Sequence, residues 1–421
     1  MTCGLAGQAK LEFPHSGISI GLYEVSTRSQ RGKYSYAKIK IKREDGDRIA
    51  QEVEVQEPVL LKFGGHIQNR YVYQSESLRL ANDKAWLHLY DARKILNQGL
   101  VSQQFNEVTL EDVVNYIVDE RQDPYGVITG VNFPDDSASD TSPPDSNVTE
   151  QLSSETSGVL KYAILATSFV GAVVKNIALS IVDSGGFDFD DISPNEALEQ
   201  VETEFNVEAW VDTTGVLYVG KRESKPRNTH AIQSDLSKSP YVISDYNITE
   251  GVTPISQVHL TGTKQIKETE VRSYKKFYPI AQANIPGQDG GVYAPDEPLR
   301  LRTPEALERA AERKLIQLYS QERNGSIIFN GFASDNSKIL VTMGVGDTMA
   351  VADTIGGYCS KTVKGGLFVV EEVQHQINTR NGWKVTVEVG EIPPDIQSSS
   401  VWYNPTDDKE YKSLEQYQNE N

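Results

Sequence analysis

Thiols and imidazoles are scarce in this chain. Two cysteines, Cys3 and Cys359, and six histidines are spread through 421 residues. Two thiols are too few for a disulfide framework or a four-thiolate metal site. His15, His66, His88, His230, His259 and His375 stand singly, and no H-E-x-x-H, C-x-x-C, Walker loop or G-x-G-x-x-G occurs. The local signatures of zinc hydrolases, thiol redox enzymes and nucleotide-binding folds are therefore missing. So are long apolar runs. The most apolar stretch, Ala163 to Val174, is twelve residues between Lys161 and Lys175, whereas a bilayer needs about 20. No membrane span is expected. Met1 to Phe13 shows no basic start followed by an apolar run, so no signal peptide is expected either.

Positive charge is short as well. Lys+Arg total 41 against 59 Asp+Glu, a formal charge of −18, with a pI near 4.9. That balance argues against a sequence-reading nucleic-acid binder, which needs a cationic footprint to release counterions. It also disfavours a protein held by charge on an anionic membrane. The excess acid suits an extracellular or high-salt setting. Hydrophobic content of 38% and charged content of 24% exclude a wholly disordered chain. At about 150 residues per domain, the length suggests roughly three domains.

Residues 1–96 read as antiparallel β, a small barrel or sandwich. Ile18, Ile20 and Leu22 alternate as one strand, and Lys38, Lys40 and Lys42 alternate with Ala37, Ile39 and Ile41. Asp45-Gly46 then reads as a hairpin turn, with Ile49, Gln51, Val53 and Val55 returning. Short strands are expected at Leu60–Phe63, Arg70–Tyr73 and Trp86–Tyr90.

Residues 97–235 read as mixed α/β. A helix starts at Thr109, with Leu110, Val113, Val114 and Ile117 as its stripe. A second is expected after Ser168, with Val170, Val173, Val174, Ile177 and Ile181 on one face and Gly185-Gly186 as its stop. A third begins at Ser193-Pro194-Asn195-Glu196, a capping box with proline first. Its stripe is Ala197, Val201 and Phe205. A hairpin follows through Thr213-Thr214-Gly215. Pro134–Gly158 has seven serines, three prolines, six acids and no Lys or Arg. It can bury almost nothing, so it reads as a linker or exposed loop.

Residues 236–395 return to β. Polar strands are expected at Val258–Ile266 and Glu270–Phe277, and a strong helix over 303–321 with Leu307, Ala311, Leu315 and Leu318 as its stripe. Strands follow at Ser326–Phe332, Thr348–Ala352, Phe368–Ile377 and Trp383–Val389, the last two joined through Asn381-Gly382. Residues 396–421 read as a polar extended tail. The fold class is α+β, mainly antiparallel β.

Chemistry is hard to find in this order of elements. Gly17-Ile18-Ser19-Ile20-Gly21 spells a nucleophile elbow, but an elbow needs a strand before the serine and a helix after it. Asp188, Asp190 and Asp191 lack the glycine of a Ca²⁺ loop, with Ser193 in its place, and suit a helix N-terminus instead. Lys38, Lys40, Lys42 and Arg43 make a one-faced basic stripe that could meet phosphate or an acidic partner, but it reads first as a solvated strand face that discourages edge pairing. Sequons at Asn147, Asn247 and Asn324 decide nothing. No catalytic, cofactor-binding or metal residue is assigned, although 59 carboxylates leave spatial acid pairs open.

The order of elements is more informative than any motif. A β-rich start leads to Ala85–Tyr90, the run Asp91-Ala92-Arg93-Lys94-Ile95-Leu96-Asn97-Gln98-Gly99, and the Thr109–Glu120 helix. That succession resembles tail-hub proteins of tailed viruses: contractile-phage baseplate hubs, the late control protein D family and the hub part of type VI spikes. Ser193–Val219 and the ending, from the Thr303 helix through Gly344-Val345-Gly346-Asp347 to Phe368–Gln376 and Gly382–Gly390, resemble the same group. The likeness covers most of residues 15–392. It implies two tail-tube-like β-barrel domains flanking a smaller mixed domain. It further implies a homotrimeric, pseudo-sixfold ring that joins the tail tube or distal tail protein to a central spike or fibre. Tape measure and other baseplate proteins are implied partners, and DNA would pass a channel without specific binding. The implied place is the virion tail tip or baseplate, after synthesis in the host cytoplasm. The family's functional residues are diffuse interface positions, so none transfers by number. Two other readings stand beside this non-enzymatic one. One is a tail-associated or secreted hydrolase acting on host glycan or peptide. The other is a surface-binding module using the 134–158 loop or the aromatic-bearing C-terminal segment.

Overall fold

Alternating burial along its strands builds most of this protein, and the architecture is α+β with mainly antiparallel strands. A computed structural model describes residues 9–105, 110–133, 187–205, 207–220, 229–232, 242–248, 255–262, 268–269, 272–273, 278–299, 304–322, 324–331, 337–351, 354–355, 361–362, 366–378, 382–393, 396–404 and 408–412. The helix expected after Ser168, the Pro134–Gly158 segment and the starts at Thr109 and Thr303 lie outside the described residues.

The first region runs β1 (Ala9–Phe13), β2 (Ile18–Gly21), β3 (Glu24–Gln30), β4 (Tyr36–Lys42) and α1 (Arg43–Glu52). It continues with β5 (Pro58–Phe63), β6 (His66–Val72), β7 (Leu78–Leu80), β8 (Lys84–Asp91) and a 3-10 turn over Ala92–Asn97. The middle holds β9 (Val101–Phe105), α2 (Leu110–Asp119), β10 (Gly130–Asn132), β11 (Phe187–Ile192) and α3 (Pro194–Phe205). The hairpin β12 (Glu208–Val211) and β13 (Val216–Gly220) closes it. Then come β14 (Thr229–Ile232), β15 (Ile243–Ile248), β16 (Ile255–Thr261) and a short ladder of β17 (Glu268–Thr269) with β18 (Arg272–Ser273). Next are β19 (Tyr278–Asn284), β20 (Gly291–Tyr293), α4 (Pro304–Glu322), β21 (Asn324–Asn330), α5 (Ser337–Thr342) and β22 (Thr348–Val351). A second short ladder, β23 (Thr354–Ile355) with β24 (Lys361–Thr362), precedes β25 (Gly366–Asn378), β26 (Gly382–Glu391), β27 (Gln397–Asn404) and β28 (Lys409–Tyr411).

One sheet takes strands from both ends of the chain. Its path is β15-β21-β26-β25-β3-β4-β8-β6-β5-β1-β2, with β7, β22 and β14 attached alongside. The crossing point is β25 on β3, in register from Glu372 opposite Gln30 to Ile377 opposite Val25. Leu11, Phe13, Ile39, Leu61 and Leu87 from the first region share one core with Phe329, Val373, Trp383, Val385 and Val387 from the last. Two smaller cores lie beside it. Hydrophobic faces of α2, α3, β12 and β13 bury Val113, Ile117, Leu198 and Leu217. The stripe of α4 (Leu307, Ala311, Leu315) packs on Val258, Leu260, Ala281 and Ala283 of β16 and β19.

Three expectations need correction. Arg43–Glu52 is a helix, not a hairpin turn with a returning strand. Arg43 pairs with Asp47 and Arg48 with Glu52 at i,i+4, while Gly46 and Ile49 face inward at i,i+3. Tyr278–Asn284, not expected as a strand, forms a full one, while of the expected strand Glu270–Phe277 only Arg272–Ser273, which form β18, lie within the described residues. Gln397–Asn404, read as part of a tail, is strand β27 and pairs with β19 over seven residues, burying Trp402.

Gly46 reverses the usual helix rule. A Cβ there would lie 2.5 Å from Ala85 Cβ and 2.9 Å from Leu80 Cδ2. Helix propensity favours alanine by about 1 kcal/mol, but overpacking costs about 1–3 kcal/mol. Gly46→Ala is therefore expected to lower stability by up to about 2 kcal/mol on balance, read as a reduced urea midpoint with unchanged m. A raised midpoint would refute the close packing.

Candidate functional site

Described side chains do not converge on a reaction centre; they organise joints and faces. The first joint centres on Arg93, which is only 8% exposed. Asp91 caps the 3-10 turn by accepting from Arg93 N at 2.9 Å, and this aims the guanidinium into the middle region. There Nε donates to Asn195 Oδ1 at 3.1 Å, and Nη1 donates to Glu202 Oε1 and the Ala209 carbonyl, each at 3.0 Å. Nη2 completes a two-pronged contact with Glu202, whose Oε1 also accepts from Ala209 N at 2.6 Å. One buried arginine thus fixes α3 and β12 against the end of β8.

Neighbouring contacts tie the same regions. Arg31 at the end of β3 pairs with Glu208 of β12 and with Glu371 of β25. Tyr34 OH donates to Glu199 at 2.7 Å, and the Lys94 ammonium lies 4.4 Å from the Tyr34 ring centre. From β6, Arg70 donates to the Gly126 carbonyl at 2.9 Å and reaches the Thr214 carbonyl at 3.4 Å. Gly215 lets it approach, since a Cβ there would meet Arg70 Cζ at 3.0 Å and the Val127 carbonyl at 2.8 Å. A φ of 93° also requires glycine at this position.

The sheet's outer face is polar across the seam. Arg28 of β3 donates from Nε and Nη2 to both carboxylate oxygens of Glu372 on β25, at 2.6 and 2.8 Å. Glu388 lies opposite Glu372 in register, and burial beside that second carboxylate pushes the Glu388 carboxyl up. Farther along, the Lys38 and Lys40 ammonium groups sit 5.0 and 5.5 Å from the Trp86 ring centre. Lys40 also pairs with Glu24 at 3.2 Å. The lysine row is a solvated strand face, as expected, but β4 lies between β3 and β8 and is no edge, and Arg43 begins α1 instead of extending the row.

The sequence candidates stay apart. Ser19 is exposed on β2, opposite Glu12, and the chain continues into β3 rather than a helix, so the elbow spelling has no elbow geometry. Asp188 and Asp190 are exposed on β11. The capping box forms as expected: Ser193 N donates to Glu196 Oε2 at 2.9 Å and Glu196 N to Ser193 Oγ at 3.2 Å. His230 pairs with Asp347 at 3.0 Å in the core. Among the described residues, no group of three His, Cys, Asp or Glu side chains is placed to hold a metal. The Ser398 hydroxyl lies within hydrogen-bond reach of both Glu308 and Glu312 and donates to one of them at a time, and Ser400 donates to Glu308 at 2.6 Å, which stitches α4 to β27. No described helix is long and apolar enough to cross a membrane.

Comparison with known proteins gives the architecture a context. No protein-family model matches the chain, and no curated protein matches it. Solved structures do. A tail protein from Neisseria meningitidis MC58 aligns over 92% of this chain and 98% of its own, at 13% identity and a TM-score of 0.56. The 43 kDa tail protein of prophage MuSo2 from Shewanella oneidensis aligns over 93% and 99%, at 10% identity and a TM-score of 0.55. This chain has the phage tail-protein fold. An E. coli type VI secretion component, itself structurally similar to bacteriophage T4 tail proteins gp27 and gp5, aligns at 8% identity over 93% of this chain and 76% of its own, with a TM-score of 0.49.

Sequence reasoning missed the joints of this tail-protein fold. Arg93 carried no signal beyond its place in a run noted for its order, because its partners lie more than 100 residues away. Arg93→Ala leaves the part-buried Glu202 without its cation and removes the donors to Asn195 and the Ala209 carbonyl, a loss of about 1–3 kcal/mol. Chemical denaturation is expected to show the middle region melting before the sheet. A single unchanged transition would refute the joint.

His375 supplies a pH-dependent test in the shared core. Its ring is fully buried between Phe63 and Trp383, and the Trp383 indole N–H donates to Nδ1 at 3.3 Å. Burial pushes the imidazole down to about 3. An unfolded imidazole protonates near 6.5, so between those values the unfolded state binds the extra proton. Stability is complete above about pH 6.5 and falls as pH drops below it, by up to about 1.4 kcal/mol per unit. His375→Leu is expected to flatten the pH dependence of the urea midpoint between about pH 6.5 and 4.5, inside the window from the usual value down to the lowered one. Parallel curves for the two proteins would refute it.

Proposed function

We propose that this protein is a structural hub of a viral tail tip or baseplate. The observation that carries the reading is near-complete mutual coverage with two tail proteins, 92–93% of this chain and 98–99% of theirs. In this reading three copies form a ring. Residues 1–96 and 236–395 act as two tube-like units per chain, and residues 97–235 are the mixed domain between them. Three pairs of such units make a pseudo-sixfold face for a hexameric tail tube or distal tail protein. The threefold side receives a central spike or fibre, and tape measure and other baseplate proteins are further neighbours. A central channel lets DNA pass without specific binding, because the net charge of −18 removes the counterion-release term. The role is non-enzymatic and its place is the virion.

The β3–β25 seam supports this reading physically. It couples the two units of one chain rigidly, so each copy brings a fixed pair to the ring. Light scattering of the purified chain, at low and at molar salt, is expected to give the mass of three chains, with rings in electron micrographs. A single-chain mass in both conditions would overturn the ring.

A further inference from the structure

An acidic chain that assembles with itself must overcome like-charge repulsion, and two of its surfaces have opposite sign. On the outer face of β4, Lys38 and Lys42 are exposed and have no carboxylate within ion-pair distance among the described residues. Lys84 lies opposite Lys42 in register, and Arg79 lies opposite Trp86. His88, opposite Lys38 on this face, is pushed down by burial and by Arg79 and Lys38, as a positive local field requires. The opposite sign collects on α2. Its buried stripe turns Glu111, Asn115 and Asp119 outward, and among the described residues no ion pair is formed by Glu111 or Asp119. Exposed Asp188 and Asp190 belong to β11, in the same middle region.

The dimensions agree. Four residues of strand from Lys38 to Lys42 span about 13 Å, and eight residues of helix from Glu111 to Asp119 span about 12 Å. No described ion pair joins the two surfaces within one chain. Trp86 holds Lys38 and Lys40 over its ring, so those ammonium groups reach a partner with less rotamer freedom to lose.

We propose that the lysine row of β4 docks on the acidic α2 ridge of a second copy of this chain. Such a contact joins two different surfaces head to tail, and repetition by a closing rotation generates a ring. This inference rests on the trimer proposed above and names its contact. Complementary charge sets which surfaces meet and in what register, while like-charged surfaces are rejected.

Charge exchange tests it. The masses of wild type, Lys38→Glu/Lys42→Glu, Glu111→Lys/Asp119→Lys and the variant carrying all four changes are compared by light scattering, with circular dichroism melts confirming folding. Each double reversal is expected to reduce three chains to one, and the combined variant to restore the trimer. Milder Lys42→Ala and Asp119→Asn changes are expected to raise the concentration needed for assembly, should a reversal fail to fold. A trimer in all variants overturns the contact and leaves the ring standing. Double reversals that dissociate without rescue in the combined variant also overturn it, because the surfaces then do not face each other. A wild-type trimer unaffected by Lys38→Glu/Lys42→Glu, with loss of duplex DNA retention, would assign the lysine row to nucleic acid instead. A wild-type monomer would overturn the ring itself.

Discussion

Pairing of β3 with β25 is the constraint on which the architecture depends. It brings Arg28 and Glu372 together across 344 residues of sequence, a loop closure costing roughly 5 kcal/mol in chain entropy beyond the constant term. The ladder from Val25 to Gln30 and the shared core beneath it offset that cost. Thr27 and His375 lie opposite each other inside this seam, and the two-pronged Arg28–Glu372 contact closes its solvent face. Without the pairing, the first region would expose the edge of β3 and the last region the edge of β25. Two open edges of that length are sticky.

The middle region attaches by a different physics. Val72 of β6 and Tyr90 of β8 pack into its core, and its other links to the sheet are charged and directional: Arg93 to Glu202, Arg31 to Glu208, Arg70 to backbone carbonyls. Apolar contact would let one body slide over another, whereas fork-shaped guanidinium contacts fix an orientation. The proposed ring would depend on that orientation, since a small tilt in each copy accumulates around a circle.

Much of this was legible locally. The α2 stripe, the capping box at Ser193, the Thr213-Thr214-Gly215 turn, the α4 stripe and the Trp383–Val389 alternation all appear in the structure. These signals share a cause, for each is set by neighbours within four residues. Errors came where inward positions are small or polar. β3 turns Val25 and Thr27 inward, β19 turns Ala281 and Ala283, and β27 opens with Ser398, Ser399 and Ser400 after Gln397. Such strands have little hydrophobic amplitude, so periodicity does not announce them. The α1 error has the opposite origin: Asp45-Gly46 is good turn chemistry, but Ala85 and Leu80 leave room there only for a glycine-bearing helix.

By itself the sequence determined the α+β class, the acidic charge, the absence of local catalytic motifs and the order of elements that resembles tail hubs. Each is a property of composition or of short-range spacing. Only the tertiary structure decided that the first and last regions share one sheet and one core, and that Arg93 locks the middle region. It also decided that an outward lysine row and an acidic helix ridge coexist without neutralising each other in one chain. These are long-range pairings, and pattern within a window of a few residues carries no information about which distant strand or carboxylate will be met.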